Sequence, residues 1–505
     1  MPVPIRGLPS LGTALLSGRN LSLQDNSQDY PHPTPPIYAD EQTMLQAVED
    51  LRAHLGNDAV SVDQGDIESH GYSEWSTSNS TIRPIAVITP TCTEDVSFIA
   101  KLCTKYRIPM IPYGAGSSVE GNVSTPYSGL SIDLSQMNKI VDFHPEDMDV
   151  VVEAGVNWVE LNREIKSSGL FLPVDPSPTA QIGGMVATNC SGTNAMRYGT
   201  MKDWVMNLTV VLADGSVIQT RRRPRKTSAG YNLNGIFTGS EGTLGIVTQI
   251  TLKLAVIPTH FGVATTTFLS VKDAAGAGTA MIRQGIPLAA LELMDDTQME
   301  VINRTGGIAG KLLPEKPTLF LRFSGSERAV QESITQVRDI CKGFGSNSFQ
   351  IATSEKEMEN LWSARKQALW AMLAVRPEGT QIWSTDVAVP ISRIAEIIDY
   401  SKKQAAQLGL FSSVLGHVGD GNFHQAVMYN PDKIGEAIAV TACLNDIIDK
   451  ALEMDGTVSG EHGIGLGKKA CLAKELGSGT IGVMRSLKRG LDPHWILNPG
   501  KIFDF

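Results

Sequence analysis

The segment GHVGDGNFH (416–424) sets two histidines, His417 and His424, at either end of a Gly-Asp-Gly-Asn core. Further on, DGTVSGEHGIGLGKK places Glu461 and His462 side by side among glycines. Histidine is the commonest side-chain ligand for metals, yet a single pair reads equally as two hydrogen-bonded rings in a sheet. A carboxylate added to the pair changes the chemistry on offer. His417, His424 and Glu461 together leave coordination positions open, as catalytic rather than structural sites do, and suit zinc, manganese or iron. Such a site would hold a metal and a substrate at once.

For this to work the two histidines must share a face. Side chains alternate along a strand, so an offset of seven within one strand would separate them. The apolar runs LFSSVLGHV and NFHQAVMY read instead as two strands of a hairpin, with the glycine-rich centre as the loop. A loop over Gly419 to Asn422 puts Val418 opposite Phe423 and His417 opposite His424, about 4.5–5.5 Å apart at Cβ. Asp420 and Asn422 then serve as turn formers rather than ligands. Gly460, Gly463, Gly465 and Gly467 allow unusual backbone angles and close approach by a ligand, or simply a flexible loop.

The wider chain supplies two kinds of scaffold. From about 81 to 256, short β-branched runs (PIAVITP, GLSIDLS, DVVVEAG, NLTVVLADGSVIQT, GIVTQITLKLAVIP) alternate with helical patterns such as CTEDVSFIAKLCTKYR and VNWVELNREIKSSG, which predicts an α+β domain. Beyond Pro258 longer amphipathic stretches dominate, notably EKEMENLWSARKQALWAMLA and EAIAVTACLNDIIDKALEM, so a second domain is expected from about 259. PYGAGSSVEGN (112–122) follows a strand-like entry, and its small residues suit a backbone nest for a phosphate. Its GxGxxxxG spacing fits neither the dinucleotide fingerprint nor the P-loop.

A net charge of −10 argues against a nucleic-acid partner, and RRRPRK (221–226) reads as a solvated loop. Six cysteines are scattered with no CxxC, which indicates neither a disulfide framework nor a thiolate metal site. No apolar run is long enough to span a bilayer. The first 24 residues lack Asp and Glu but hold Arg6 and Arg19, compatible with a presequence remnant or a tail, and YPHPTPPIY (30–38) reads as an extended linker.

Three further stretches, PVDPSPTAQIGGMVATNCSGTNAMRYGTM (173–201), SAGYNLNGIFTGSEGTLGI (228–246) and LNPGKIF (497–503), join the first loop and the GEHG segment in one order. That set resembles the FAD-dependent D-lactate dehydrogenases of the vanillyl-alcohol-oxidase-type flavoproteins, over nearly all of 60–505. The resemblance implies a PCMH-type α+β fold: an arm and linker (1–60), a two-subdomain FAD-binding domain (61–258), a substrate or cap domain with the metal hairpin (259–460), and a C-terminal segment returning to the flavin domain (461–505). It implies cofactor contacts at Tyr113, Gly114, Ala115, Gly116, Ser117, Ser118, Gly121, Gly183, Gly184, Ser191, Thr193, Asn194, Tyr198, Gly199, Glu241 and Ile246. Ser117 stands where relatives with covalent flavin have a histidine, so FAD is expected to bind without a covalent link.

The same resemblance makes His462 the base for the substrate hydroxyl, suited by an imidazole's ordinary pKa near neutrality, and Arg365 the cation for the substrate carboxylate. Trp362 and Trp370 would wall the pocket or belong to the core. QIWSTDVAVPIS (381–392) is similar to the neutral strand of the D-lactate branch, and Ala426 stands where hydroxyglutarate enzymes carry a polar Asn. A small hydrophobic D-2-hydroxy acid is therefore favoured over D-2-hydroxyglutarate or glycolate. Cytochrome c is the implied electron acceptor and the mitochondrion the implied location. Two other classes, a flavin subunit without a substrate site and a flavin-free metal hydrolase, remain as contrasts.

Overall fold

A computed structural model describes residues 35–505 apart from Thr77 and Asn347, so the N-terminal arginines and most of the proline-rich linker lie outside the described residues. The stretch expected to complete the arm instead folds onto the first domain. Met44, Val48 and Leu51 recur at helical spacing on Glu41–Leu55 and are buried, and Val60 then pairs with Ile88 at the edge of a sheet.

The first domain contains two main sheets around one core, with a two-stranded pair, Leu170–Phe171 and Ala255–Val256, beside them. A four-stranded sheet carries Val60–Ser61, Ala86–Ile88, Leu130–Asp133 and Met110–Tyr113 in that spatial order. A five-stranded antiparallel sheet runs Ile140–His144, Asp149–Glu153, Ile246–Lys253, Val205–Val211, Val217–Gln219. The helix Thr93–Tyr106 buries Val96, Ile99, Ala100 and Cys103 in the core the sheets share. Arg223 of the basic run pairs with Asp147 and Asp149, so that loop is docked at one end rather than wholly solvated.

The second domain is one eight-stranded sheet with helices on both faces. Its central strand, Leu288–Met294, is buried at all seven residues because helices cover both sides. The helices Val271–Arg283, Glu327–Gly343, Ile394–Gln407 and Ile434–Glu453 contribute to the core on one face; Asp296–Arg304, Glu355–Lys366 and Ala368–Val375 contribute to that on the other. The stretch around Arg365, expected as one helix, is two, separated at Gln367.

The hairpin register also differs from expectation. Strands Ser412–His417 and Asn422–Tyr429 pair His417 with Asn422, Gly416 with Phe423 and Leu415 with His424, so the loop is 418–421. Asn422 is drawn into the strand because its amide donates to the Val387 carbonyl (3.0 Å) and to Asp386 (3.1 Å). Gly421, at φ +75°, closes the turn where an L side chain would be strained. His424 still shares a face with Asn422 and therefore lies diagonally across from His417.

After the helix Lys469–Leu491 the chain returns to the first domain. Met110 donates to Ile496 O (2.7 Å) and accepts from Asn498 N–H (2.8 Å), while Ile496 and Leu497 are fully buried in the first core. The buried Lys488 ammonium donates to Thr243 O, Leu497 O and Asp492, at 2.6–2.7 Å. No helix among the described residues is long and apolar enough to cross a membrane.

Candidate metal and flavin site

The hairpin brings the His417 and His424 rings to 5.4 Å between centroids. Their Nε2 atoms lie 3.4 and 3.2 Å from one oxygen of Glu461, although Glu461 is on the distant 456–468 loop. Two ligands bound at about 2.1 Å to a tetrahedral ion are themselves about 3.4 Å apart. Both nitrogens thus stand near that spacing from the carboxylate oxygen, and the three donor atoms all lie within 4.8 Å of one another, a group that could hold one ion.

The other ring nitrogens are committed elsewhere. His417 Nδ1 faces Glu292 at 2.9 Å, and His424 Nδ1 faces the Thr385 carbonyl at 3.0 Å, which directs both Nε2 atoms inward. Burial opposes charge on His417 and on Glu461. Glu292 and Glu461 nevertheless hold the His417 imidazole well above its ordinary value, and His417 and His424 hold the Glu461 carboxyl well below its own. A cluster in which the imidazole is favoured charged beside an ionised carboxylate fits a divalent cation.

His462 stacks on His424 at 4.9 Å between centroids and 13° between planes. Burial pushes its imidazole down to about 4, away from the near-neutral value expected of it, so the ring is neutral near pH 7 and free to accept a proton but weakly basic, and its Nδ1 is buried without a hydrogen-bond partner. Arg365 is only 4% exposed; its Nε and Nη2 donate to Glu292, whose other oxygen faces His417. Among the described residues Nη1 has no acceptor. Trp362 is buried, whereas Trp370 is half exposed and meets Trp75 of the first domain edge-on at 4.8 Å.

Glu292 and Asp386 were not singled out from sequence. Glu292 is the one charge in the buried strand LAALELM, a signal that was there to be read. Asp386 is fully buried in the stretch read as neutral, and accepts from Ser459, Asn422 and the N–H groups of Glu461 and His462. Behind His462, Lys468 pairs with Glu120 at 2.8 Å; burial pushes the Glu120 carboxyl up to about 7.

The flavin candidates form a neighbouring cradle. The loop after Met110–Tyr113 exposes its backbone: among the described residues the N–H groups of Ala115 through Ser118 donate to no acceptor in the chain. Gly116 is held at φ +63°. A Cβ on Gly114 would come within 3.0 Å of Gln181 Oε1, itself buried without a partner, whereas one on Gly184 would meet only open space. The free N–H groups and the open room fit a pyrophosphate, and the orphaned amide oxygen suits a donor N–H or O–H elsewhere on the same cofactor. Ser191 Oγ–H donates to the second oxygen of Glu461 at 2.6 Å, so a residue expected at the cofactor meets the candidate metal ligands at one carboxylate.

Other expected cofactor residues have other partners. The Glu241 carboxylate accepts from Ile464 N–H (2.7 Å), Gly465 N–H (2.8 Å) and Asn122, so it anchors the GEHG loop instead of facing an adenine. Ile246 is 1% exposed, in the core rather than at a pocket wall. Thr193 and Asn194 are bound to Asp175, Tyr198 packs between Phe171 and Trp204, Gly199 ends the short helix Ala195–Tyr198, and Gly121 sits tightly against Ser78.

Residues 84–221 match the family described as FAD binding domain, and residues 257–502 the family described as FAD linked oxidases, C-terminal domain. The chain is 44% identical to the mitochondrial D-lactate dehydrogenase (cytochrome) of Kluyveromyces lactis, covering 93% of this chain and 83% of that one. It is 42% identical to the Arabidopsis thaliana enzyme of the same name (92% and 81% covered) and 35% identical to glycolate oxidase subunit GlcD of Bacillus subtilis (83% and 89% covered). In fold it is similar to 4-ethylphenol oxidase from Gulosibacter chungangensis (TM-score 0.77, 18% identical, 94% and 99% covered) and to p-cresol methylhydroxylase (TM-score 0.74, 19% identical, 94% and 99% covered). The architecture is therefore the PCMH-type FAD-binding fold with an α+β cap.

Proposed function

The chain belongs to the FAD-linked oxidase family that includes the mitochondrial D-lactate dehydrogenases (cytochrome), and from that premise we propose that it is an FAD-dependent dehydrogenase that oxidises D-lactate and similar small D-2-hydroxy acids to 2-oxo acids. The observation that carries this reading is the convergence on Glu461: two imidazole nitrogens approach one oxygen, and Ser191 of the flavin cradle donates to the other. FAD, when bound without a covalent link, supplies the acceptor for the hydride lost from C2. His417, His424 and Glu461 would hold a divalent ion, which would supply Lewis acidity at the site.

The chain's own residues do the rest. His462, neutral and stacked on His424, takes the hydroxyl proton. Arg365 offers Nη1 to the substrate carboxylate while Glu292 fixes the rest of its guanidinium. Ser384 and Ala426, paired across neighbouring strands, add no charge, which supports a monocarboxylate over a dicarboxylate. Electrons pass on to cytochrome c in the mitochondrion; the names of the relatives and the net charge of −10 against a basic haem protein support this. Glycolate is the second reading, favoured by the 35% relative. Elemental analysis with the visible spectrum, then turnover of D-lactate, glycolate and D-2-hydroxyglutarate, tests the set. A yellow protein with one divalent ion and a preference for D-lactate is expected; a preference for the dicarboxylate overturns the substrate.

A further inference from the structure

We infer that Asp386 is a positioning residue that sets where the Glu461 ligand and the His462 base stand relative to the histidine hairpin. The inference deepens the reading above and rests on it. Asp386 is fully buried and gathers donors from two separate segments. Its Oδ2 accepts the backbone N–H groups of Glu461 (3.0 Å) and His462 (2.8 Å) and the Ser459 hydroxyl (2.8 Å), while Oδ1 accepts the Asn422 amide at 3.1 Å.

The geometry gives this carboxylate a particular task. Glu461 and His462 lie on a loop with few regular backbone bonds, and neither side chain could fix its own main chain. The hairpin, by contrast, is locked in a sheet. Asp386 sits on the sheet side, between Ser384 and Val387, and Gly460 N–H donates to its carbonyl at 2.8 Å. Both ends of the residue thus grip the loop. No apolar side chain, and no amide of the same shape, can accept these donors together: an asparagine offers one oxygen and turns two N–H donors toward them.

The test is calorimetric titration of Mn2+ into the chelator-stripped, FAD-loaded protein, alongside steady-state kinetics with D-lactate at saturating Mn2+. In Asp386→Asn, FAD stoichiometry is expected to stay at the parent value, Mn2+ affinity to fall about 10–100-fold as for other groups that orient ligands, and kcat to fall at least about tenfold with KM changed less than about threefold. Ser459→Ala, which removes one donor and no charge, is expected to shift both in the same direction by a few-fold. Parent-like Mn2+ affinity and kcat in Asp386→Asn overturn the inference, and so does loss of FAD from a variant that keeps its fold, which makes Asp386 a residue of the flavin site. If Asp386→Asn yields no folded protein and Ser459→Ala is indistinguishable from the parent, the inference also falls. Failure of the underlying reading looks different: the parent itself would then bind no Mn2+ or leave D-lactate unoxidised.

Discussion

Glu461 has both oxygens in use, one toward the two histidines and one toward Ser191. Glu461→Gln is expected to lower the affinity for a divalent ion by more than about 100-fold, beyond the loss typical for an outer partner, while leaving the yellow chromophore in place. Metal content by elemental analysis beside the 450-nm-region absorbance checks it. Arg365→Lys keeps the charge but gives up the planar fork that serves Glu292 and a substrate together. The KM for D-lactate should rise roughly tenfold, equivalent to one lost charged hydrogen bond of about 1.5 kcal/mol; an unchanged KM would detach Arg365 from substrate binding. His417, His424 and Glu461 were legible because histidines and an acid flanked by glycines are uncommon in ordinary cores. Glu292 and Asp386 were harder to see, since one carboxylate in a strand carries no local pattern; what defines each is partners from distant segments. The role of Glu241 as an anchor of the GEHG loop is likewise carried by partners from a distant segment, which motif position does not contain.

At the scale of elements, the periodicities located the strands and helices well, because alternation and 3.6-residue spacing are properties of neighbouring residues. The register of the histidine hairpin was not local in that sense. It depends on Asn422 reaching Asp386 and Val387 across another strand, which no reading of 416–424 alone contains. Phe423, fully buried on the opposite face of that strand, holds the hairpin against the helical layer. Phe423→Ala should cost about 3–5 kcal/mol of stability, read from denaturant midpoints. A second element, the helix Gln64–Gly71, is tied to the first sheet through His70 and Asp133 at 3.3 Å, with the His70 ring against Tyr113. Burial disfavours charge on His70, but Asp133 outweighs it and raises the imidazole above its ordinary value. The stability His70 contributes is therefore complete below about pH 6.5 and is lost as pH rises through the raised native value. The stability gap between the parent and His70→Gln should be larger at pH 5.5 than at pH 8.5; an equal gap would mean the pair holds no proton.

For the whole molecule, the change of pattern near Pro258 is a local property of the sequence, and the family match at 257–502 begins beside it; the C-terminal return came only through resemblance, because sequence distance conceals spatial nearness. If cytochrome c accepts the electrons, its reduction rate should fall steeply as salt is raised from about 20 to 200 mM, while reduction of a small neutral dye stays level, since screening acts on protein encounter. A flat response for both would remove charge from the encounter. Pairing of Met110 with residues 496–498 and the anchoring of Lys488 on Thr243 join stretches several hundred positions apart. A ribosome-bound chain that has emitted the glycine cradle consequently holds only an open half of its flavin domain. Until the final strand-like segment appears, apolar surface around Met110 stays uncovered, so chaperone dependence during synthesis and sensitivity to C-terminal trimming should travel together.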